Sequence, residues 1–151
     1  MAAVATALLM AGAADAASTA SLTQQESSLL NAMNAARATY GLQPLRADTR
    51  LERAARRHSS YMLRTGTFAH GAFVARIRRV GVRAPRIGEN LAWSSGPLTV
   101  ARSIIAMWLA SPAHRANLLR PGYRLVGVGA LRGAFDGQSK ALMVTTDFAG
   151  R

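Results

Sequence analysis

The chain has 151 residues, 50% of them hydrophobic, and this length and composition suit one globular domain while excluding disordered and fibrous proteins. It has no cysteine, which excludes disulfide frameworks, thiolate zinc sites, iron–sulfur clusters and thiol nucleophiles. Nineteen basic side chains against seven acidic ones give a formal charge of +12, which indicates either anionic partners or a solvated basic surface.

The first segment has the pattern of an export signal. Residues 1–12 are apolar and uncharged, and Ala14, Asp15 and Ala16 form the small-x-small pattern that signal peptidases cleave. No basic residue precedes the apolar run, so the signal is atypical or the true start lies upstream. A membrane anchor needs about 18 continuous apolar residues, so we expect a secreted or cell-envelope protein and not an integral membrane protein. The predicted boundaries are 1–17 for the signal peptide, 18–28 for a linker and the start of the first helix, and 29–150 for one domain.

Helical spacing of apolar residues predicts two helices after the linker. Thr23 and Glu26 form a capping box at the start of the first helix, which Gly41 ends. Asp48 can cap the second helix, which ends at Gly66. Apolar side chains recur every three or four residues on one face of each helix. The predicted inward residues are Leu29, Met33, Ala36 and Tyr40 in the first helix and Leu51, Ala54, Ala55, His58 and Met62 in the second.

Three shorter helices and an irregular segment follow. A short third helix ends before Gly81, and residues 83–93 have no helical period and are predicted to form a loop and a short strand. A fourth helix is predicted from about Leu98 to Leu109. Ser111 and Pro112 then begin a short fifth helix as N-cap and first residue. The predicted inward residues are Phe73, Ile77 and Val80 in the third helix and Val100, Ile104, Met107 and Trp108 in the fourth.

The C-terminal part of the chain has the period of a β-strand. Residues 126–129 alternate valine and glycine, residues 142–147 alternate as well, and Asp136 and Gly137 predict a hairpin between them. The glycines of 126–129 indicate tight backbone packing rather than a nucleotide-binding loop, since they lie inside a strand. Helices first and an antiparallel hairpin last predict an α+β fold with helices packed on a sheet.

Five ionisable side chains have no evident reason to lie at the surface. His58 lies on the apolar face of the second helix and is predicted to be a core histidine. His70 follows that helix in a loop, and His114 lies in the first turn of the fifth helix. Glu89 lies among apolar residues, where a buried carboxylate needs partners, and Asp147 lies in the last strand. None of the five identifies a site by itself.

Several motifs in one order resemble the CAP superfamily, whose SCP domain is shared by cysteine-rich secretory, antigen 5 and pathogenesis-related-1 proteins. They are NAAR at 34–37, FAH at 68–70, GENLA at 88–92, WLASPAHRANLL at 108–119 and GVG at 127–129. The resemblance covers about residues 29–150 and is to the short, cysteine-free bacterial branch. It implies an α-β-α sandwich with a small, mainly antiparallel central sheet and a central cleft.

The resemblance also implies a cleft lined by two histidines and two acidic residues. Carried over, the histidines are His70 and His114, one acid is Glu89 with Asn90 beside it, and the second acid falls on Ser111, which has no carboxylate. An inherited protease mechanism is therefore not expected. Two neutral imidazoles can bind a divalent metal, with zinc the natural candidate, and Glu89 would be a third ligand or an acceptor that fixes a histidine tautomer.

Three functions remain open at this stage. The first is a secreted binding protein whose cleft takes a divalent metal, a small apolar or lipid-like ligand, or an anionic cell-envelope component. The second is a hydrolase in which Glu89 and a histidine activate water, with or without a metal, or in which a serine is the nucleophile. The third is adhesion to anionic surfaces through the arginine clusters at 53–57 and 76–79. No nucleic acid is expected, because aromatic side chains do not alternate with the arginines to stack bases. The candidate nucleophiles are Ser94, Ser95 and Ser111.

Overall fold

This computed structural model describes residues 21–151. Helices form most of the first part of this range, and a long β-hairpin forms its C-terminal end. The predicted signal peptide, residues 1–17, lies outside the described residues. The elements in chain order are α1 (Gln24–Thr39), β1 (Arg46–Ala47), α2 (Thr49–Thr65), α3 (Phe73–Arg79), β2 (Arg86–Ser94), a 3-10 helix (Gly96–Thr99), α4 (Ala101–Ala110), α5 (Pro112–Leu118), β3 (Tyr123–Phe135) and β4 (Gln138–Gly150). None of the helices between residues 21 and 151 is long and apolar enough to cross a bilayer.

The four strands form one sheet between two helical layers. Their order is β1-β3-β4-β2, with β1 parallel to β3 and the other pairs antiparallel. Helix α2 packs on β3 and β4, whereas α1, α4 and α5 pack on the opposite face. The predicted α-β-α sandwich with a mainly antiparallel sheet is therefore confirmed.

The hairpin between β3 and β4 turns on the two residues that the sequence indicates. Asp136 and Gly137 both have positive φ, 47° and 75°, as a two-residue primed turn requires. Each strand has 13 residues and extends beyond the alternating segments. Strand β1 was not predicted, because two residues are too few to show an alternating pattern.

Strand β4 is buried on both faces, and its alternation decides where the polar side chains point. Met143 packs with Met62 of α2, whereas Leu142 and Val144 belong to the larger core under α1 and α4. Odd-numbered residues of β4, including Asp147, therefore face the α2–α3 layer. Glu89 is the cross-strand partner of Asp147 and faces the same layer.

Helix α2 lies in backbone contact with β3. A Cβ atom on Gly127 would overlap the backbone of Leu51, and one on Gly129 would overlap the backbone of Arg56. Both positions therefore require glycine for the close approach of the helix. The predicted tight backbone packing at residues 127–129 is confirmed.

At the end of α1 the side chain of Arg37 points into the core. The sequence analysis placed Tyr40 there. Tyr40 is the C-cap residue and is half exposed, so its predicted core position is wrong. Arg37 is fully buried and donates hydrogen bonds to four backbone carbonyls. The carbonyls are those of Gln43 at 2.9 Å, Leu118 at 2.8 Å, Arg120 at 3.2 Å and Tyr123 at 3.3 Å. One side chain thus connects the end of α1 to the segment that leads from α5 into β3.

The predicted inward face of α4 is half correct. Ile104 and Trp108 are buried, but Val100 is 44% exposed and Met107 is 39% exposed. Val100 precedes the helix as its N-cap residue, because the 3-10 turn delays the start of α4 to Ala101. The side chain of Ile105 is buried in place of Met107.

Strand β2 is longer than the predicted loop and short strand, and two side chains cover its outer edge. The backbone carbonyl of Glu89 accepts a hydrogen bond of 3.0 Å from Asn117 Nδ2. The carbonyl of Leu91 accepts one of 3.0 Å from Trp108 Nε1. Helices α4 and α5 thereby bind β2 at the side that no neighbouring strand pairs with.

Candidate functional site

The loop after α2 brings His70 over strand β2. Gly66 ends α2 in the left-handed conformation, with φ 65°, which turns the chain back towards the sheet. The exposed imidazole of His70 then lies with Nδ1 2.8 Å from Glu89 Oε1. Two of the predicted site residues, 19 positions apart in sequence, are thus in direct contact.

Glu89 is an internal carboxylate with both oxygens engaged. Its side chain is 1% exposed, Oε1 contacts His70, and Oε2 accepts a hydrogen bond from the guanidinium of Arg76 in α3. Burial raises the pKa of Glu89 to about 7, although the charge of Arg76 acts in the opposite direction. The carboxylate is therefore placed to orient His70, and water does not reach it.

Asp147 is the second acid of the site, and the sequence analysis did not assign it to the cleft. It is completely buried, and its Oδ1 lies 3.6 Å from Arg76. As a carboxylate it finds no hydrogen-bond donor, whereas with a proton it becomes a donor to Glu89. Burial and then the neighbouring charge of Glu89 raise the pKa of Asp147 well above its usual value. The register of β2 on β4 places position 147 opposite position 89, and no local pattern in the sequence indicates this pairing.

Ser111 and His114 form a second contact, at the start of α5. Ser111 occupies the predicted N-cap position, but its side chain makes no capping hydrogen bond, so that part of the interpretation is wrong. Its Oγ lies 2.9 Å from His114 Nδ1 instead. Asn90 Nδ2 donates to the backbone carbonyl of His114 at 2.9 Å, and Asn90 Oδ1 accepts from Asn117 Nδ2 at 3.1 Å. Asn90 therefore fixes α5 to β2, as a support of the site.

An apolar cavity of about 320 Å³ opens beside His114 at the edge of β2. Aromatic and aliphatic side chains form most of its wall, and Ser111 and His114 supply its polar corner. Burial and the nearby His70 lower the pKa of His114, so its imidazole is neutral at pH 7. The apolar lining residues are Phe68, Leu91, Ala92, Trp93, Met107 and Trp108.

The two histidines of the site are better suited to bind a metal ion than its acidic side chains are. Within residues 21–151, no group of three or more His, Cys, Asp and Glu side chains is arranged to hold a metal ion. Nδ1 of His70 faces Glu89 and Nδ1 of His114 faces Ser111, which leaves Nε2 of each as the nitrogen a metal would use. The predicted ligand set of His70, Glu89 and His114 stays a prediction, and Glu89 takes the orienting role in this arrangement.

His58 behaves as the core histidine that the sequence analysis predicts. It is buried on α2, and its Nε2 donates to the backbone carbonyl of Ala69 at 2.9 Å. Burial, together with the charge of Arg76, lowers its pKa from 6.5 to about 4. The ring is therefore uncharged at pH 7.

This pKa predicts a loss of stability in mild acid. The unfolded chain binds a proton at His58 below about pH 6.5 and the folded chain does not until about pH 4, so stability falls as the pH falls between these values. We expect about 2 kcal/mol to be lost at this site by pH 5 relative to pH 8. Urea unfolding of the wild type and of His58→Gln, which keeps a donor for Ala69 but cannot titrate, measures the difference. Identical pH profiles for the two proteins would contradict the prediction.

Comparison with known proteins places most of the chain in one family profile. Residues 30–148 match CAP, the cysteine-rich secretory protein family. The chain is 31% identical over 114 residues to the uncharacterized protein YkwD of Bacillus subtilis, and 32% identical over 117 residues to the uncharacterized membrane protein YlbC of the same bacterium. These matches cover 72% and 73% of this chain but 43% and 32% of the relatives, so the chain spans less than half of their lengths.

Solved structures share the fold. An extracellular protein of Bacillus anthracis that contains an SCP domain superposes with a TM-score of 0.70 at 26% identity, over 84% of this chain and 40% of that chain. An outer surface protein of Borrelia burgdorferi superposes with a TM-score of 0.71 at 20% identity, over 85% of this chain and 94% of that chain. The second likeness extends over nearly all of that protein and concerns the fold alone.

Proposed function

The chain belongs to the CAP, or cysteine-rich secretory protein, family, and we propose that it is an extracytoplasmic binding module whose cleft takes a small, largely apolar ligand. The observation that carries the proposal is the apolar cavity beside β2, with Ser111 and His114 at one corner. A location outside the cytoplasm is supported by the Bacillus anthracis relative, which is described as extracellular.

The lining of the cavity indicates what the ligand is. Its volume of about 320 Å³ falls in the range of small-molecule sites, about 300–1,000 Å³. The exposed Phe68 and Met107 are two of its walls, and the partly buried Trp93 offers a flat apolar surface. One polar corner in an apolar cavity suits a lipid-like molecule with a single polar group, held by the hydroxyl of Ser111 and the neutral imidazole of His114.

Binding of an uncharged apolar probe tests the proposed cleft. We expect N-phenyl-1-naphthylamine to bind the wild type and to bind Phe68→Ala and Trp93→Ala about five- to tenfold more weakly, because each change removes part of the apolar wall. Leu98→Ala is the matched control, since Leu98 is an exposed apolar residue outside the cavity. Probe fluorescence measures the affinity. Equal affinity for all four proteins would refute the cleft.

A divalent metal, with zinc as the candidate, is part of the same proposal. His70 and His114 would hold it through Nε2, with Glu89 and Ser111 on the opposite ring nitrogens. A bound ion would supply a Lewis acid for the polar end of the ligand. Glu89 keeps the proton of His70 on Nδ1, so the lone pair of Nε2 remains available.

Zinc titration checks this role of the histidines. The affinity of the wild type for zinc is expected to fall at least about tenfold in His70→Ala and in His114→Ala, and to weaken in acid because protons compete with the metal for the ligand nitrogens. His58→Gln is the control, because His58 is buried and its Nε2 is engaged with the carbonyl of Ala69. Isothermal titration calorimetry of chelator-treated protein reports the constants, and unchanged zinc affinity in both alanine variants would remove the metal from the proposal.

A hydrolytic function is the second candidate, because Ser111 lies beside a base. The distance of 2.9 Å between its Oγ and His114 Nδ1 is that of a serine–histidine pair, whereas Ser94 and Ser95 make no hydrogen bond to a histidine within the described residues. Water activation by Glu89 is less well supported, since both of its oxygens are engaged. Labelling by a fluorophosphonate probe that Ser111→Ala and His114→Ala abolish would favour the hydrolase. Absence of labelling in the wild type would favour binding alone.

A further inference from the structure

A second cavity, of about 430 Å³, lies between α2 and α3, and no residue lines both this cavity and the cleft. The two arginine clusters noted in the sequence meet here. Arg57 of α2 and Arg76 and Arg79 of α3 line its wall. Residues that are about 20 positions apart in sequence thus present guanidinium groups to one space, which we call the α2–α3 pocket.

The charge of the α2–α3 pocket is not neutralised by acidic side chains. Its lining contains no Asp or Glu. Arg57 and Arg79 are exposed, and neither forms an ion pair in the part of the chain that the structure describes. Arg76 is committed to Glu89 and Asp147. Arg57 and Arg79 are therefore the two cations of the pocket that are available to a ligand.

The remaining wall of the α2–α3 pocket is apolar and aromatic. Ala75 and Val80 contribute small aliphatic surfaces. The half-exposed ring of Tyr61 stacks on His58, with an angle of 11° between the ring planes and 6.3 Å between their centres. His58 is uncharged at pH 7, so this ring pair offers a flat neutral surface next to the two arginines.

We propose that the α2–α3 pocket binds a phosphate group carried on an apolar or ring-bearing body, with the phosphate on Arg57 and Arg79 and the body against Tyr61. Planar guanidinium groups match phosphate oxygens in bidentate pairs, and two of them balance the charge of a phosphate monoester. The volume of the pocket is that of a small-molecule site. A bare inorganic anion would leave the aromatic surface uncovered, and a purely apolar ligand would leave both guanidinium groups without a counter-charge.

Phenyl phosphate and inorganic phosphate are the probes for this proposal, with affinities measured by calorimetry on the full chain. We expect phenyl phosphate to bind about fivefold more tightly than inorganic phosphate, and Tyr61→Ala to remove that difference. The double variant Arg57→Gln/Arg79→Gln is expected to bind phenyl phosphate about tenfold more weakly. Arg53→Gln/Arg78→Gln is the matched control, since it removes the same charge from exposed positions of the same two helices outside the pocket. Its affinity is expected to change less than about twofold.

Three results would overturn the proposal: no binding of phenyl phosphate to the wild type, equal losses in the two double variants, or no preference for phenyl over inorganic phosphate. Vesicles of phosphatidylcholine with phosphatidylglycerol distinguish the two sources of the phosphate. Sedimentation with these vesicles that needs Arg57 and Arg79 and that phenyl phosphate competes away would support the pocket and identify a lipid headgroup. Binding of phenyl phosphate without sedimentation would support the pocket and identify a soluble phosphate ester.

Discussion

Replacement of Arg37 by methionine is expected to lower the free energy of unfolding by about 3–5 kcal/mol, one of the two largest losses we anticipate from a single change. The guanidinium of Arg37 is fully buried and donates to four backbone carbonyls from the α1–β1 connection, the end of α5 and the start of β3. Methionine fills much of the volume but donates no hydrogen bond. The buried carbonyl of Leu118 would then lose its donor, whereas those of Arg120 and Tyr123 keep the backbone N–H of Tyr123 and the guanidinium of Arg124. A buried carbonyl without a partner costs more than the hydrogen bond itself contributes.

Two further variants make the Arg37 prediction specific. Arg37→Lys retains the charge but cannot reach four acceptors from one planar group, so an intermediate loss is expected. Arg53→Met removes an exposed arginine from α2 and is expected to change stability by less than about 0.5 kcal/mol. Urea unfolding followed by circular dichroism provides the values. A loss below about 1 kcal/mol in Arg37→Met would show that the carbonyls find other donors.

Replacement of Arg76 by methionine is expected to cost about 3–5 kcal/mol near pH 8, because it leaves two buried carboxyl groups without their cation. Glu89 and Asp147 are both nearly inaccessible to water, and Arg76 is their only basic partner besides His70 within the described residues. In the wild type, burial already raises the pKa of both acids. Without Arg76 both pKa values rise further.

The loss in Arg76→Met is expected to shrink as the pH falls. The folded variant retains protons that the unfolded chain releases above about pH 4.5, the usual value for glutamate, so its stability decreases as the pH rises. Below the folded pKa of about 7 the wild type takes up the same protons, so the difference between the two proteins narrows as the pH falls from 8 to about 7 and then stays constant. Neutral carboxyl groups need no counter-ion.

Unfolding curves at pH 8, 6.5 and 5 for the wild type and Arg76→Met would measure this change. Arg78→Met is the control, since Arg78 is exposed on the same helix and its side chain pairs with no acid in the described chain. The triple variant Arg76→Met/Glu89→Gln/Asp147→Asn is expected to recover part of the loss at pH 8, because amides remove the buried charge. A difference from the wild type that stays constant with pH would mean that packing, and not charge, is what Arg76 contributes.

The sequence allowed the helices and the hairpin to be predicted because each has its own local signal. Thr23 and Asp48 cap their helices, Gly66 ends α2, and Asp136 and Gly137 form the hairpin turn. Strand β2 lacked such a signal. Both of its faces are buried, so polar and apolar residues do not alternate, and its carboxylate and amide are satisfied only by tertiary partners.

The site residues that belong to sequence motifs could be predicted, whereas those that are held in the site by charge pairing could not. The contact of His70 with Glu89 followed from the resemblance to a family, since no local rule brings a loop and a strand together. Arg76 looked like one of several surface arginines. The sequence does not show which of the neighbouring arginines of α3 points towards the sheet. Asp147 had been noted as unexplained, and only the register of β2 on β4 shows its partner.

The two edges of the sheet have a consequence for behaviour at high concentration. On one side the outermost strand, β1, is only two residues long. On the other side, Asn117 and Trp108 occupy the carbonyls of β2 that an incoming chain would need. The edge at β2 therefore offers no long row of free backbone groups, and covering an edge in this way is how natural proteins guard against intermolecular strand addition. On the other side β1 pairs only with Leu125 and Val126 of β3. We therefore expect β2 not to start amyloid-like fibrils in concentrated solutions for as long as α4 and α5 remain docked.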